Sequence, residues 1–142
     1  MPNKEGTMSD IKPVDAGIFI LRLTLGIIIA AHGLQKVLGL WGGPGIEGFS
    51  GFVKSLGFQP PVVWAWIVGL SETVGGALLV LGVLPRLSAF FIGSVMAVAI
   101  FKVHWNGLFM ANNGFEYPLL ILACCVAVIF TGAGKISLFD KL

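Results

Sequence analysis

The feature that most constrains this chain is a series of apolar stretches of membrane-spanning length. A hydrocarbon core of about 30 Å takes about 20 apolar residues of helix, at about 1.5 Å each. Residues 15–38, 61–84 and 86–105 meet that length, a fourth apolar stretch, 115–131, is at its short limit, and the last helix is predicted over about 115–134. The sequence therefore predicts an all-α integral membrane protein, a four-helix antiparallel transmembrane bundle with both termini on one side of the membrane.

Composition supports a membrane domain and excludes a nucleic-acid-binding protein. The chain is 56% hydrophobic and 11% charged, against roughly 45–50% apolar and about 25% charged in soluble domains. Its net charge of +2 is too small for a nucleic-acid surface. A polar N-terminal segment, 1–14, precedes the predicted membrane domain, 15–142. Met8 resembles a second start, which leaves open whether residues 1–7 are native.

Aromatic and basic residues predict how the bundle is oriented. Trp and Tyr favour the membrane–water interface. All of them fall on one side of the predicted bundle, termed the Trp side: Trp41, Trp64, Trp66, Trp105 and Tyr117. Basic residues near the membrane surfaces are more numerous on the opposite side, which favours a cytoplasmic location for both termini (N-in/C-in).

The long connection between the first two spans carries an amphipathic segment, residues 44–57. Ile46, Phe49, Val53 and Leu56 recur at helical spacing, with polar residues between them. This pattern is typical of a short helix that lies in the interface or folds back over the bundle. Both a lid and an inert interfacial plug fit the pattern.

Two ionisable residues lie deep within the predicted spans. Arg22 is about seven residues into the first span, and Glu72 is about ten residues into the second from the other side, so they reach a similar depth. An unpaired charge at that depth costs several kcal/mol. We predict a buried ion pair between Arg22 and Glu72, direct or through water. Its role is either structural or in substrate binding and proton handling.

Polar residues on the Trp side predict a ligand site. His32 and Lys36 share a face of the first span with Arg22, and His104 and Glu116 flank the last loop. Imidazole both donates and accepts hydrogen bonds, so these side chains could bind the carbonyl oxygens of a quinone or another small amphipathic molecule. Two His and a carboxylate could instead bind iron, although no local ligand spacing supports a metal. Solvation by water and lipid headgroups is the third alternative.

The two cysteines are adjacent, Cys124 and Cys125, within the fourth apolar stretch. Their spacing fits neither a disulfide framework nor a metal site. A redox-active vicinal pair is conceivable, but an apolar helix disfavours the reactive thiolate, so we expect small core residues. No intrinsic metal, haem, flavin or nucleotide is predicted, since the sequence shows no motif for them.

The order and spacing of several motifs resemble the DoxX family of small bacterial four-helix membrane proteins. The matching positions are Arg22, 32–36, 42–49, Glu72, 104–107 and 114–118. The resemblance implies membrane redox chemistry, since relatives include the DoxD-type subunit of a thiosulfate:quinone oxidoreductase, and others are associated with oxidative stress or aromatic-compound metabolism. Many relatives have Gly-Pro-Gly where this chain has Gly132-Ala133-Gly134, and loss of that proline would let the last helix extend.

From the residues and the resemblance together, we expect a subunit of a quinone-linked oxidoreductase or oxidative-stress redox system in the bacterial inner membrane. Quinone is the expected cofactor; membrane lipids, a redox partner protein and further copies of the chain are the expected partners. A small transporter or a scaffold for a soluble enzyme is the alternative, because intramembrane charges also mark solute pathways. No catalytic residue, substrate or electron donor follows from the sequence.

Overall fold

The computed structural model of the chain describes residues 11–138, which are helical with short connections. Over that range the α-helices are α1 (Pro13–Leu38), α2 (Gly45–Ser55), α3 (Pro61–Leu81), α4 (Pro85–Lys102) and α5 (Glu116–Thr131). Short 3₁₀ turns, Leu40–Gly42 and Met110–Asn112, lie in two of the connections. By length and composition α1, α3 and α4 can each cross a membrane, and α5 is a shorter apolar helix.

Local sequence explains where the three long helices begin and end. A first-turn position is occupied by Pro13, Pro61 and Pro85 in their respective helices. Backbone N–H groups in the first turn make no intrahelical hydrogen bond, so proline is tolerated there. α1 and α3 stop at Gly39 and Gly82, whose φ angles of 69° and 73° are left-handed. α3 therefore ends at residue 81 rather than at the predicted 84.

The last two helices are also shorter than the predicted spans. α4 ends at Lys102, so His104 lies in the following loop and not in a helix that continues to residue 105. α5 ends at Thr131, because Gly132 and Gly134 both take positive φ, 73° and 68°. The expectation that the last helix extends to residue 134 is wrong: the glycines stop it without a proline.

α1 and α3 pack antiparallel along most of their length through small residues. A Cβ on Gly76 would lie 2.5 Å from the amide nitrogen of Ala30 and 2.7 Å from the carbonyl oxygen of Gly26. Such close approach lets the two helices associate through van der Waals contacts, since in lipid no hydrophobic effect drives helices together. Gly26 and Ala30 thus let α1 approach α3 closely, and the contact sets the register, with Gly33 against Thr73 further along.

α4 follows α3 through a tight turn, and α5 returns beside α4. The core that α1, α3, α4 and α5 share contains Leu25, Ile29, Leu79, Ile92, Cys125 and Val128. Cys124 and Cys125 are both free thiols, and Cys125 is fully buried. The outer faces expose large apolar side chains such as Phe90 and Phe130. Soluble monomers rarely expose so much apolar surface, and these faces, with three helices long and apolar enough to cross a membrane, indicate a membrane protein.

Beyond α5, the C-terminal segment (132–138) returns over the end of the bundle opposite the Trp side. The amide of Leu138 donates to the carbonyl oxygen of Leu81 at 3.2 Å. The amide of Lys135 donates to Asp15 Oδ1 at 3.2 Å, and Asp15 Oδ2 accepts the amide of Lys12 at 3.0 Å. One carboxylate therefore caps the start of α1 and holds the segment that follows α5.

Candidate ligand cavity and buried ion pair

A cavity of about 510 Å³ lies toward the Trp side, enclosed mainly by α2, α3 and α4. Its wall is mostly apolar. The polar side chains that line it are His32, Lys36, Ser71, Glu72, Ser94, His104 and Tyr117. The volume is within the roughly 300–1,000 Å³ of small-molecule sites.

α2 forms one wall of this cavity. Phe49 and Val53 are buried against Ala65 of α3, while Phe52 and Leu56 also line the cavity. The helix predicted in residues 44–57 is present over residues 45–55 and folds back against α1 and α3. Movement of α2 as a lid stays a prediction, but its position makes it the element that would have to move.

Glu72 is fully buried, and its partner is Lys36. Lys36 Nζ donates to Glu72 Oε1 at 2.6 Å and also to Oε2 of the same carboxylate. The Lys36 side chain is 23% exposed, and its Nζ lies 5.3 Å from the centroid of the Phe49 ring, within cation–π range. The pair thus joins α1 to α3, with the carboxylate in the interior and the ammonium at the cavity wall under α2.

Arg22 is equally buried, but it does not pair with Glu72. Its Nη1 donates to the carbonyl oxygen of Leu79 at 3.0 Å and its Nη2 to that of Ile136 at 2.6 Å. Leu79 is seven positions after Glu72, which is about 10 Å along a helix. In the part of the chain that the structure describes, the predicted Arg22–Glu72 ion pair is therefore not formed; the register of α1 on α3 gives each residue another partner.

Arg22 instead closes the end of the bundle opposite the cavity. Leu79 is in the last turn of α3, where carbonyl groups and the helix dipole favour a cation. A side chain on Gly82 would overlap the guanidinium, so glycine makes room for it. Within residues 11–138 the Nε of Arg22 has no hydrogen-bond partner. Arg22 thus links α3 to the C-terminal segment.

Tyr117 is a cavity residue that sequence reasoning missed. We expected it at the interface with the tryptophans, but it lines the cavity, and its hydroxyl is buried without a hydrogen-bond partner in the described range 11–138. The Tyr117 ring lies 5.9 Å from that of His32, at 51°. The available signal was its place beside Glu116 at the start of α5, since that end of the helix faces the predicted ligand site.

The structure brings His32 and His104 to one cavity, but not Glu116. His104 Nδ1 lies 3.4 Å from the carbonyl oxygen of Asn113. Glu116 is exposed and outside the cavity wall; its Oε1 accepts the amide of Met110 at 2.6 Å. Met110 itself lines the cavity, so Glu116 orders the loop that contributes to the wall and does not face the ligand space.

These groups can hydrogen-bond an organic ligand and exchange protons with it. A phenol donates, a neutral imidazole donates and accepts, and an ammonium has a third N–H beyond the two that a carboxylate uses. Across residues 11–138, no three His, Cys, Asp or Glu side chains are grouped as metal ligands. The arrangement therefore fits best a mainly apolar molecule that carries a few oxygen atoms.

Comparisons with known proteins point to one family. The family model described as DoxX matches residues 17–105. A Bacillus subtilis protein named "Putative oxidoreductase CatD" is 31% identical over 127 residues, covering 89% of this chain and 87% of that protein. An uncharacterized Haemophilus influenzae protein is 31% identical over 129 residues, with 85% and 87% covered. A second from that organism is 36% identical over 75 residues, with 51% and 50% covered. No solved structure matches the chain.

Proposed function

The chain belongs to the DoxX family, and on that premise we propose that it is a membrane subunit of a quinone-linked oxidoreductase or oxidative-stress redox system. The observation that carries the proposal is the cavity on the Trp side, which combines an apolar wall with hydrogen-bonding groups from α1, α5 and the loop after α4. The name of the Bacillus relative supports redox chemistry.

The cavity fits a quinone in size and in chemistry. About 510 Å³ accommodates one ring system with a short tail. Aromatic side chains such as Phe49, Trp64 and Phe91 line it and offer the apolar contact that a quinone ring requires. When bound, the quinone supplies the electron-transfer chemistry, and the chain has to bind and orient it.

The proposed binding residues are His32 and His104. Both are on the cavity wall, and an imidazole N–H can donate to a carbonyl oxygen. The tautomer of the neutral His104 ring decides its role: with the proton on Nε2 the ring donates to a carbonyl oxygen of the ligand, and with the proton on Nδ1 it donates to Asn113, which leaves Nε2 to accept from a hydroxyl. Lys36 holds the Glu72 charge beside the cavity, and α2 limits the access of water. These roles let the same site bind a carbonyl or a hydroxyl form of the ligand.

We further propose that α1, α3, α4 and α5 cross the bacterial cytoplasmic membrane, with N-in/C-in topology and α2 in the outer interface. The support is the exposure of Trp41 and Trp105 on one side, where interfacial tryptophan is expected. The cavity would then open near the periplasmic face. A partner subunit would supply the electrons.

A binding measurement tests the cavity. The full chain in lipid nanodiscs is titrated with 2-methyl-1,4-naphthoquinone, followed by tryptophan quenching, since Trp64 lines the cavity. Saturable binding is expected, weakened about tenfold or more in the double variant His32→Leu, His104→Leu, because two hydrogen bonds are lost. Thr24→Val, on α1 but outside the cavity wall, is the control. Absence of saturable binding by the wild-type chain contradicts the proposal.

A second measurement tests the subunit role. Affinity capture of the chain from host membranes is expected to bring a redox enzyme with it. Quinone reduction by that enzyme is expected to fall in membranes that lack the chain, and to recover with the wild-type chain but not with the double histidine variant. An unchanged rate of quinone reduction without the chain contradicts the subunit role even where the quinone binds.

A further inference from the structure

We propose that the Tyr117 hydroxyl selects the ligand of this cavity by donating a hydrogen bond to an oxygen atom on it. The inference rests on the proposed function, because the ligand occupies the same cavity. It deepens that function by naming a recognition residue and the class of molecule recognised: an apolar ring compound with a carbonyl oxygen, as opposed to a hydrocarbon of the same shape.

The first observation is the unpaired hydroxyl itself. Buried polar atoms are nearly always hydrogen-bonded, yet the Tyr117 hydroxyl is buried and has no partner in the range 11–138. Tyr117 is also part of the cavity wall. A buried donor that belongs to a residue of the cavity wall and lacks a protein partner indicates that a ligand in the cavity supplies the partner.

The other hydroxyl groups of the cavity do not share this property. Three hydroxyl side chains line it: Ser71, Ser94 and Tyr117. Ser71 Oγ donates to the carbonyl oxygen of Ile67 at 2.6 Å, and Ser94 Oγ donates to that of Phe90 at 2.8 Å, each within its own helix. Both serines are therefore already satisfied, which leaves the phenol as the available hydroxyl donor of the cavity.

The surroundings of Tyr117 suit a fixed donor. Tyr117 is the second residue of α5, followed by Pro118, which is buried, so its backbone is held at a helix start. Glu72, which also lines the cavity, accepts from Lys36 and makes no hydrogen bond with the Tyr117 hydroxyl. A phenol is protonated at neutral pH and donates through a single O–H. An acceptor oxygen on a ligand is therefore the partner that completes the site.

The test compares two probes of the same shape. The full chain in nanodiscs is titrated with 2-methyl-1,4-naphthoquinone and with 2-methylnaphthalene, which has the same ring system without carbonyl oxygens. Tyr117→Phe is expected to weaken binding of the naphthoquinone about threefold to tenfold and to leave binding of the hydrocarbon unchanged. Thr131→Val is the control, since the Thr131 hydroxyl is on α5, bonds Ala127 at 2.9 Å and is outside the cavity wall.

The melting temperature of the ligand-free chain separates recognition from a structural role. A hydroxyl without a protein partner loses nothing on removal, so Tyr117→Phe is expected to melt at or above the wild-type temperature. A lower melting temperature, equal effects on the two probes, or no loss of naphthoquinone affinity overturns the inference and leaves the proposed function standing. A wild-type chain that does not bind the naphthoquinone overturns both.

Discussion

Lys36 and Glu72 form the ion pair that joins α1 to α3 beside the cavity. Both carboxylate oxygens of Glu72 accept from the one ammonium, and the carboxylate is fully buried while the Lys36 side chain is 23% exposed. A buried charge of this kind depends on its partner, because removal of one member leaves the other desolvated and uncompensated.

Removal of Lys36 should therefore destabilise the protein. Lys36→Met is expected to lower the free energy of unfolding in mixed micelles by about 3 kcal/mol, the low end for a broken buried pair because Lys36 is partly exposed. The double variant Lys36→Met, Glu72→Leu is expected to recover most of that loss, since no unpaired charge remains. If the single and double variants are equally destabilised, the loss of stability in Lys36→Met does not come from an unpaired Glu72 carboxylate.

Arg22 should control the C-terminal segment and not the cavity. Arg22→Met removes the hydrogen bonds to the carbonyl oxygens of Leu79 and Ile136. The expected loss in unfolding free energy is about 1.5–3 kcal/mol, with faster tryptic cleavage after Lys135. Lys54→Met, which removes an exposed cation on α2, is the control. Unchanged cleavage in Arg22→Met, or weaker naphthoquinone binding with stability unchanged, would contradict this role.

The same substitution at two glycines should have opposite effects. Gly76→Ala places a methyl group 2.5 Å from the Ala30 amide nitrogen and is expected to destabilise the chain by about 1–3 kcal/mol by forcing α1 from α3. Gly17→Ala meets nothing within 4 Å and is expected to stabilise α1 by about 0.5–1 kcal/mol. Thermal unfolding of the two variants checks both predictions. A neutral Gly76→Ala would mean that the helices are less closely packed.

Glu116 should act through the loop that it holds. Glu116→Ala removes the acceptor of the Met110 amide, so hydrogen exchange at that amide is expected to speed up about tenfold. Because Met110 lines the cavity, naphthoquinone binding should weaken less than in the double histidine variant. Glu47→Ala, another exposed acidic residue in a first helical turn, is the control. Complete loss of binding in Glu116→Ala would indicate direct contact with the ligand.

Features that depend on short stretches of sequence could be predicted. The apolar runs located the long helices, and the helical spacing of apolar residues in 44–57 located α2. The resemblance to the DoxX family was confirmed. Helix ends were placed less well, since Gly82 and Gly132 stop α3 and α5 within apolar or small residues that could have continued a helix.

Features that depend on how helices meet could not be predicted. Depth alone suggested Glu72 as the partner of Arg22, but Gly76 against Ala30 sets a register that brings Lys36 to Glu72 instead. The inward turn of Tyr117 depends in the same way on the packing of α5. Neither side-chain spacing nor composition contains that information, because a displacement of about two helical turns leaves every local pattern unchanged.

The place of Lys36 between two elements gives α2 a thermodynamic connection to the interior. The ammonium binds Glu72 of α3 on one side, and the ring of Phe49 in α2 lies 5.3 Å from it on another. Lifting α2 would bring water to the charged pair, so opening of the site and hydration of the pair are linked. A ligand that keeps α2 in place would limit the access of water to the Lys36–Glu72 pair. The hydration of Lys36 would then differ between the ligand-bound and the ligand-free cavity.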